Sequence, residues 1–235
     1  MHDFGEALRL ALDLVVTLDA DLAELVGLSL RVSLTATALA CLIALPLGAL
    51  LATRRFPGRG TALVALNALM GLPPVVVGLV VYLMLSRSGP LGVLGLLYTP
   101  TAMVIAQVIL IAPIVAALSR QVLEELHEEY AETFRSLCLT RTQSVAALLW
   151  DGRFALATVA LAGFGRAIAE VGAVIVVGGN IDHLTRVMTT AIALETARGD
   201  LALALALGAI LMAIALTVNA LVLSVRGHAA RLAHA

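Results

Sequence analysis

The chain has 235 residues, 61% of them hydrophobic and 13% charged, a charged share about half the ~25% of a soluble domain. A water-soluble globule cannot bury that much apolar surface and a disordered tail would not carry it, so both classes are excluded. A net charge of −1 argues against a basic nucleic-acid-binding face, and with only 4% aromatic residues the apolar excess reads as bilayer helix.

All the basic residues are Arg and none is Lys. A P-loop needs a Lys to reach the nucleotide phosphates, so the chain carries no Walker-type ATP site and any ATP chemistry belongs to a partner. No cofactor is implied. Cys41 falls in an apolar stretch and Cys138 in a polar loop, without metal-ligand spacing, so both read as reduced thiols. His127 and His183 lie in loops and His2, His228 and His234 near the termini. None has a second ligand at helical spacing, which argues against a metal site.

In chain order, residues 1–28 read as an interfacial helix and its lead-in. Glu6–Ala20 sets Leu8, Ala11, Leu12, Val15 and Val16 on one helical face, is too short and charged to span, and lacks the basic leader of a signal peptide. A spanning helix needs about 20 apolar residues. Charge-free runs of that order occur at Val32–Thr53, Gly60–Ser86, Ser88–Ser119 and Leu201–Val225. In the second run, Pro73-Pro74 falls at the midpoint, where two amide donors are missing and the helical ladder must break. Irregular backbone at that depth is tolerated only against protein or a water-filled cavity, so Leu72–Val76 reads either as a gate or as a packing kink. The third run contains Gly89-Pro90 and Thr99-Pro100, so its helix is expected from near Pro100 to Ser119.

Residues 120–153 follow as the one sizeable polar insert. A fifth run, Phe154–Ile181, is long enough to cross but holds Arg166 and Glu170. Gly178-Gly179-Asn180 supplies the stop signal for its helix. Thr185–Ala197 then reads as a short helix returning along the outer face. Arg placement orients the five spans. Setting the Arg54–Arg59 loop inside also places Arg120, Arg135, Arg141, Arg153, Arg226 and Arg231 inside, against Arg9, Arg31, Arg87, Arg186 and Arg198 outside. The N-terminus is then expected outside and the C-terminus inside.

Within the polar insert, Tyr130, Phe134, Leu137, Cys138 and Arg141 fall at helical spacings, an amphipathic helix with an aromatic edge. Such a helix either docks into a groove on another protein or lies on lipid headgroups. The stretch resembles the cytoplasmic loop of binding-protein-dependent ABC transporter permeases, which reads E-A-A, three residues, Gly, nine residues, I-x-L-P. Glu132-Thr133-Phe134 stands on E-A-A, Cys138 on the Gly, and Leu148-Leu149-Trp150-Asp151 on the last four positions. The resemblance implies that Glu132, Thr133, Phe134 and Cys138 couple an ATPase subunit to the membrane helices. Cys138 stands where the freedom of Gly at positive φ would normally serve a turn.

The run Gly165–Ala173, together with Gly178–Ile181, Thr185-Arg186, Thr189–Glu195, Gly71–Gly78 and Ser86–Gly92, is similar to the tungstate-transport permease family over roughly residues 28–225. Molybdate and sulfate permeases share that architecture. The resemblance implies an all-α membrane protein with the type I ABC importer permease fold: one permease domain over residues 1–235, about five transmembrane helices and the N-terminal interfacial helix. It further implies import of tungstate or molybdate across the inner membrane of a prokaryote. The partners implied are a second permease chain in a homodimer, two cytoplasmic ATPase subunits and an extracytoplasmic oxyanion-binding protein.

A charge at the bilayer centre costs about 2.5–3.5 kcal/mol even on insertion scales, so Arg166 and Glu170, four residues apart, should face protein or water. As residues alone they read either as a neutralising pair that pins helix packing or as the edge of a path for a dianion. Thr189 and Thr190 offer hydroxyls to an oxyanion or bond their own backbone. With the resemblance, Pro73, Pro74, Arg166, Glu170, Asn180, Thr189 and Thr190 are the expected pathway or gate residues. The alternative is a proton-coupled secondary transporter of a small anion built on the same pair, a class that usually carries inverted repeats, of which none is evident. An intramembrane enzyme using Glu170 or His183 would lack a nucleophile and base at helical spacing.

Overall fold

A computed structural model of the chain describes Arg9 and residues 20–233, with side chains as far as Ser224 except that of Arg141. The expected interfacial helix over Glu6–Ala20 therefore falls almost wholly outside the described residues. From Ala20 the helices are α1 (Ala20–Thr53), α2 (Arg59–Met70), α3 (Pro74–Leu85), α4 (Pro100–Glu129), α5 (Ala131–Ser136), α6 (Arg141–Asp151), α7 (Arg153–Ile168), α8 (Gly172–Gly178), α9 (Met188–Arg198) and α10 (Leu201–Ala233). A single 3-10 turn at Gly92–Leu94 lies between α3 and α4, and no strand occurs among the described residues.

Three of these helices, Ala20–Thr53, Pro100–Glu129 and Leu201–Ser224, are long and apolar enough to cross a membrane alone, and two bent pairs, α2 with α3 and α6 with α7, raise the count to as many as five. The second expected span is one such pair. It is not one kinked helix, because α2 ends at Met70 and α3 begins with Pro74 in its first turn, where a missing N–H costs nothing. The fourth expected span, Phe154–Ile181, also divides: α7 stops at Ile168 and the seven-residue α8 starts at Gly172. Its stop falls where the sequence places it, with α8 ending at Gly178 and Gly179 at φ 72°. The returning helix starts three residues later than expected, at Met188, because Thr185 is held in the preceding turn. Its hydroxyl donates to the Gly178 carbonyl at 2.6 Å and accepts from the Ile181 amide at 3.0 Å.

By contacts the chain groups into two units. One takes the chain through Ala36, Pro73–Gln107 and Gly165–Val218. In it α8 lies so close to α3 that a Cβ on Gly78 would come within 2.8 Å of the Ala173 Cα. The first half of α1 meets the start of α9 and the segment before it at two polar points. Ser29 Oγ accepts from the Met188 amide at 2.8 Å, and Glu24 pairs with His183 at 2.8 Å. Asp21, Glu24 and His183 each bring one metal-ligand atom within 4.8 Å of the others, a grouping that sequence spacing missed, and all three are exposed.

The second unit takes Thr37–Leu72, Val108–Phe164 and the chain from Asn219. Small residues allow close approach here too. Gly48 of α1 sits against Ser119 and Ala116 of α4, and Gly163 of α7 against Val115, Ile111 and Thr37. At one end, Ala49, Ala52, Leu123, Leu148 and Leu156 form a buried cluster on which Tyr130 and Phe134 pack. Arg59 ties the loop after α1 in place, donating to the Leu51 carbonyl at 2.9 Å and to Glu124 at 2.6 Å, and Arg120 pairs with the same Glu124. The insert is shorter than the expected 120–153, since α4 continues through Glu129 as regular helix.

Two stability tests follow from these contacts. Gly78→Val forces a methyl-bearing carbon into the backbone of α8 and should destabilise by about 1–3 kcal/mol, whereas Gly27→Ala, which meets nothing within 4 Å, should be neutral or stabilising. Thermal melting of the purified protein in detergent distinguishes the two. The Glu24 carboxylate raises the His183 pKa above its ordinary 6.5. The stabilisation from this pair is therefore fully present below about pH 6.5 and is lost as the pH rises through the raised value. His183→Gln should remove that part of the pH dependence of melting, and the effect should shrink with added salt because both groups are solvated.

Candidate functional site

The break that the sequence signals at Pro73-Pro74 and a second one at Glu170, which it does not signal, abut in the first unit. Pro73 is extended at φ −63° and ψ 124°, and its carbonyl accepts from the Val76 and Val77 amides to start α3. A Cβ on Gly172, the first residue of α8, would fall 2.8 Å from the Val75 side chain. Glycine at that position lets the starts of α3 and α8 touch.

Glu170 occupies the second break, and each of its polar groups is engaged. Its amide donates to the Ala167 carbonyl at 3.1 Å. Its carbonyl accepts from the Thr189 hydroxyl at 2.8 Å. One carboxylate oxygen accepts from the Ala173 amide at 3.0 Å, capping the new helix, and the other pairs with Arg166 at 2.5 Å. A carboxylate at a helix start satisfies an orphan donor and complements the positive end of the helix dipole. Glu170 is 4% exposed and Arg166 36%, so the acid is sealed while the guanidinium reaches the surface of the unit. A guanidinium has five donors and Glu170 uses one of them, which leaves Arg166 able to bind an anion.

The structure therefore brings Pro73, Pro74, Arg166, Glu170 and Thr189 into one neighbourhood. Thr190 does not join it. Its buried hydroxyl accepts from the Val187 amide at 3.1 Å and donates to the Val187 carbonyl at 3.0 Å, which consumes it locally. Asn180 stands apart in the turn after α8, at φ 51°, next to Gly179, whose lack of a Cβ admits the Tyr98 ring. Arg186, at the start of the returning segment, is committed to Asp182 at 2.7 Å. Sequence reasoning missed Gln107, a lone amide in the apolar run of α4. Its side chain is 3% exposed and donates to the Ala167 carbonyl at 3.1 Å. The signal was present, because a polar side chain in a charge-free span needs a partner.

The residues that resemble a coupling element lie in the second unit. The expected single amphipathic helix is instead a helix-turn-helix: α4 ends, Tyr130 turns the chain, α5 covers six residues, and α6 begins at Arg141 behind a capping box of Thr140 and Gln143. Tyr130 and Phe134 pack inward with ring centroids 5.7 Å apart. The Asp151 carboxylate first, then partial burial of the ring and the Glu129 charge, raise the Tyr130 pKa above its ordinary 10.0. Glu132, Thr133, Leu137 and Cys138 point outward, with Leu137 64% exposed. Cys138 itself adopts φ 48°, so the turn that would favour Gly is kept with a side chain in the left-handed region. Arg54, Arg55, Phe134, Arg135 and Cys138 line an open cavity of about 1110 Å³, wide enough to receive part of another chain.

Comparison with known proteins agrees with this architecture. The chain is 38% identical over 226 residues to the tungstate uptake system permease protein of Peptoclostridium acidaminophilum, covering 96% of this chain and 99% of that one. It is 40% identical over 205 residues to a probable anion ABC transporter permease protein of Haloferax volcanii, covering 85% and 88%. It is 41% identical over 150 residues to the tungstate uptake system permease protein of Campylobacter jejuni, covering 64% and 63%. Residues 44–229 match the binding-protein-dependent transport system inner membrane component family. A helical chain with up to five spans, two abutting helix breaks and that match over most of its length belongs to this family of inner-membrane ABC permeases, with the type I importer fold.

Proposed function

We propose that this permease imports tungstate, or the near-identical dianion molybdate, as the homodimeric transmembrane part of an ABC importer. The likeness to a tungstate permease over nearly the whole of both chains carries this reading. Two ATPase chains supply the nucleotide site that a chain without Lys cannot form, and an extracytoplasmic binding protein delivers the anion. The Arg distribution supports an N-terminus outside and a C-terminus inside.

In this reading Glu132, Thr133, Phe134 and Cys138 meet the ATPase. Phe134 is anchored on the same apolar cluster as Leu123 of α4 and Leu156 of α7, so displacement of α5 is passed to two membrane helices. The breaks beside Pro73, Pro74 and Glu170 give the membrane helices α3 and α7 a place to change direction without tearing a regular ladder. Arg166 attracts the dianion, while the paired Glu170 leaves the site close to neutral, so the anion is passed on rather than trapped. Thr189 holds the backbone of Glu170. Thr190 and Asn180 act on the shape of the adjoining turns.

Proteoliposomes holding the permease, its ATPase and its binding protein should take up tungstate only with ATP. Uptake driven by a proton gradient without the ATPase would overturn the assignment. Phe134→Ala and Glu132→Lys should each lower coupled uptake about tenfold, the usual scale for losing an interface anchor. Wild-type uptake and stimulated hydrolysis in both variants would remove the coupling role. Arg166→Ala should reduce uptake about tenfold or more, the scale of a charge-assisted contact, with the complex intact. A loss of folded protein alone would leave the pair a packing device.

A further inference from the structure

Beside the abutting breaks lies a second polar feature. Ser29, Ser33, Gln107, Glu170 and Thr189, each less than a tenth exposed, line a cavity of about 10 Å³ in the first unit. Gln107 enters it from α4. Its amide nitrogen donates to the Ala167 carbonyl, the same carbonyl that accepts from the Glu170 amide. Its amide oxygen is buried and has no partner in the protein. An unmet acceptor of this kind costs about 1–3 kcal/mol. Nearly all such groups in folded proteins are met by protein or by ordered water. A polar cavity of about 10–15 Å³ accommodates one water molecule.

We propose that Gln107 is the positioning residue of the Arg166–Glu170 pair, holding the Ala167 carbonyl directly and completing the polar lining around Glu170 through one buried water. The inference rests on the transport reading above and adds to it a residue on a different helix. The geometry makes the role specific. A break in a membrane helix leaves backbone groups without ladder partners, and in a low-dielectric setting each must be met from within the protein. Glu170 meets the amide of α8, and Gln107 meets the carbonyl at the end of α7. With both in place, the guanidinium four residues back is aimed by a rigid junction. Without the amide, the Ala167 carbonyl keeps only the bond from Glu170, and the junction gains freedom. The water is the ligand the cavity takes. A tetrahedral oxyanion is too large for it, and the Glu170 carboxylate and the Gln107 carbonyl oxygen would repel one.

Two substitutions at Gln107, in the complete importer, test the role. Gln107→Met keeps the volume, removes the donor and the acceptor, and should lower ATP-driven tungstate uptake about tenfold, the equivalent of one buried hydrogen bond. In Gln107→Glu only the protonated carboxyl can donate to the Ala167 carbonyl. Its uptake relative to wild type at the same pH should therefore climb severalfold between about pH 8 and about pH 5.5. A side chain that merely fills space would produce no such rescue. Amide hydrogen exchange at residues 169–173 should quicken in Gln107→Met, and a structure at water-resolving resolution should place density within about 3.2 Å of the Gln107 amide oxygen. Wild-type uptake in both variants, or equal loss of assembled complex in both at every pH, would overturn the proposal. So would an empty cavity together with unchanged exchange. If the wild-type complex moves no tungstate, the transport reading fails on that result, and the exchange and density measurements still decide the role of Gln107.

Discussion

Every backbone group freed where a membrane helix breaks must be satisfied by the protein itself, and the organisation of the first unit answers that demand. Glu170 stands at the junction of α7 and α8 with its amide, its carbonyl and both carboxylate oxygens engaged. With Glu170 only 4% exposed, bulk water does not replace these bonds, so a residue that in a soluble loop would be an ordinary acid becomes the fixed point of the junction. The neighbouring features follow from it. Gly172 lacks a side chain so that α8 can start against Val75, Gly78 lacks one so that α3 can lie on Ala173, and Thr189 reaches back from α9 to hold the Glu170 carbonyl.

The same constraint explains why the charge pair is asymmetric. A sealed carboxylate and a partly exposed guanidinium are a poor arrangement for packing alone, since two apolar residues would fill that space with less desolvation. Under the proposed function they suit a place where a dianion has to be attracted and then released. The region proposed to couple to the ATPase follows a different logic. There the backbone is regular or capped, and what matters is an apolar anchor beneath an exposed edge. Phe134 and Tyr130 grip the cluster of Leu123, Leu148 and Leu156, while Glu132, Leu137 and Cys138 remain outward.

Much of the fold was legible in the sequence because a bilayer allows few solutions. Pro at helix starts and the Gly178-Gly179 stop are local signals that the structure follows, and the apolar runs mark where its long helices and helix pairs lie. Two long runs proved to be broken helices. Pro73-Pro74 marks the first, but nothing local marks the second, since Ala169–Val171 contains no Pro or Gly and the break there is set by side chains arriving from α4 and α9. The polar insert was overextended for a related reason: the charges of 120–129 mark where α4 leaves the apolar layer, which is not where its hydrogen-bond ladder ends. At Cys138 the structure keeps a left-handed turn, at φ 48°, although the side chain there argued against it.

The sequence by itself determined that this is a membrane protein of helices, that it lacks the Lys a Walker-type ATP site needs, and that Arg166 and Glu170 needed a reason to be where they are. These conclusions come from composition, from an absent residue type and from the cost of charge in lipid, none of which requires coordinates. Only the tertiary structure decided which polar residues share that reason. Gln107, Ser29 and Thr189 come from helices far apart in the chain, and their convergence on one break is set by how the helices pack. It also separated Thr189 from Thr190, adjacent in sequence and alike in chemistry. One hydroxyl crosses to the Glu170 carbonyl and the other closes on its own helix, because a turn of about 100° per residue points them to different neighbours.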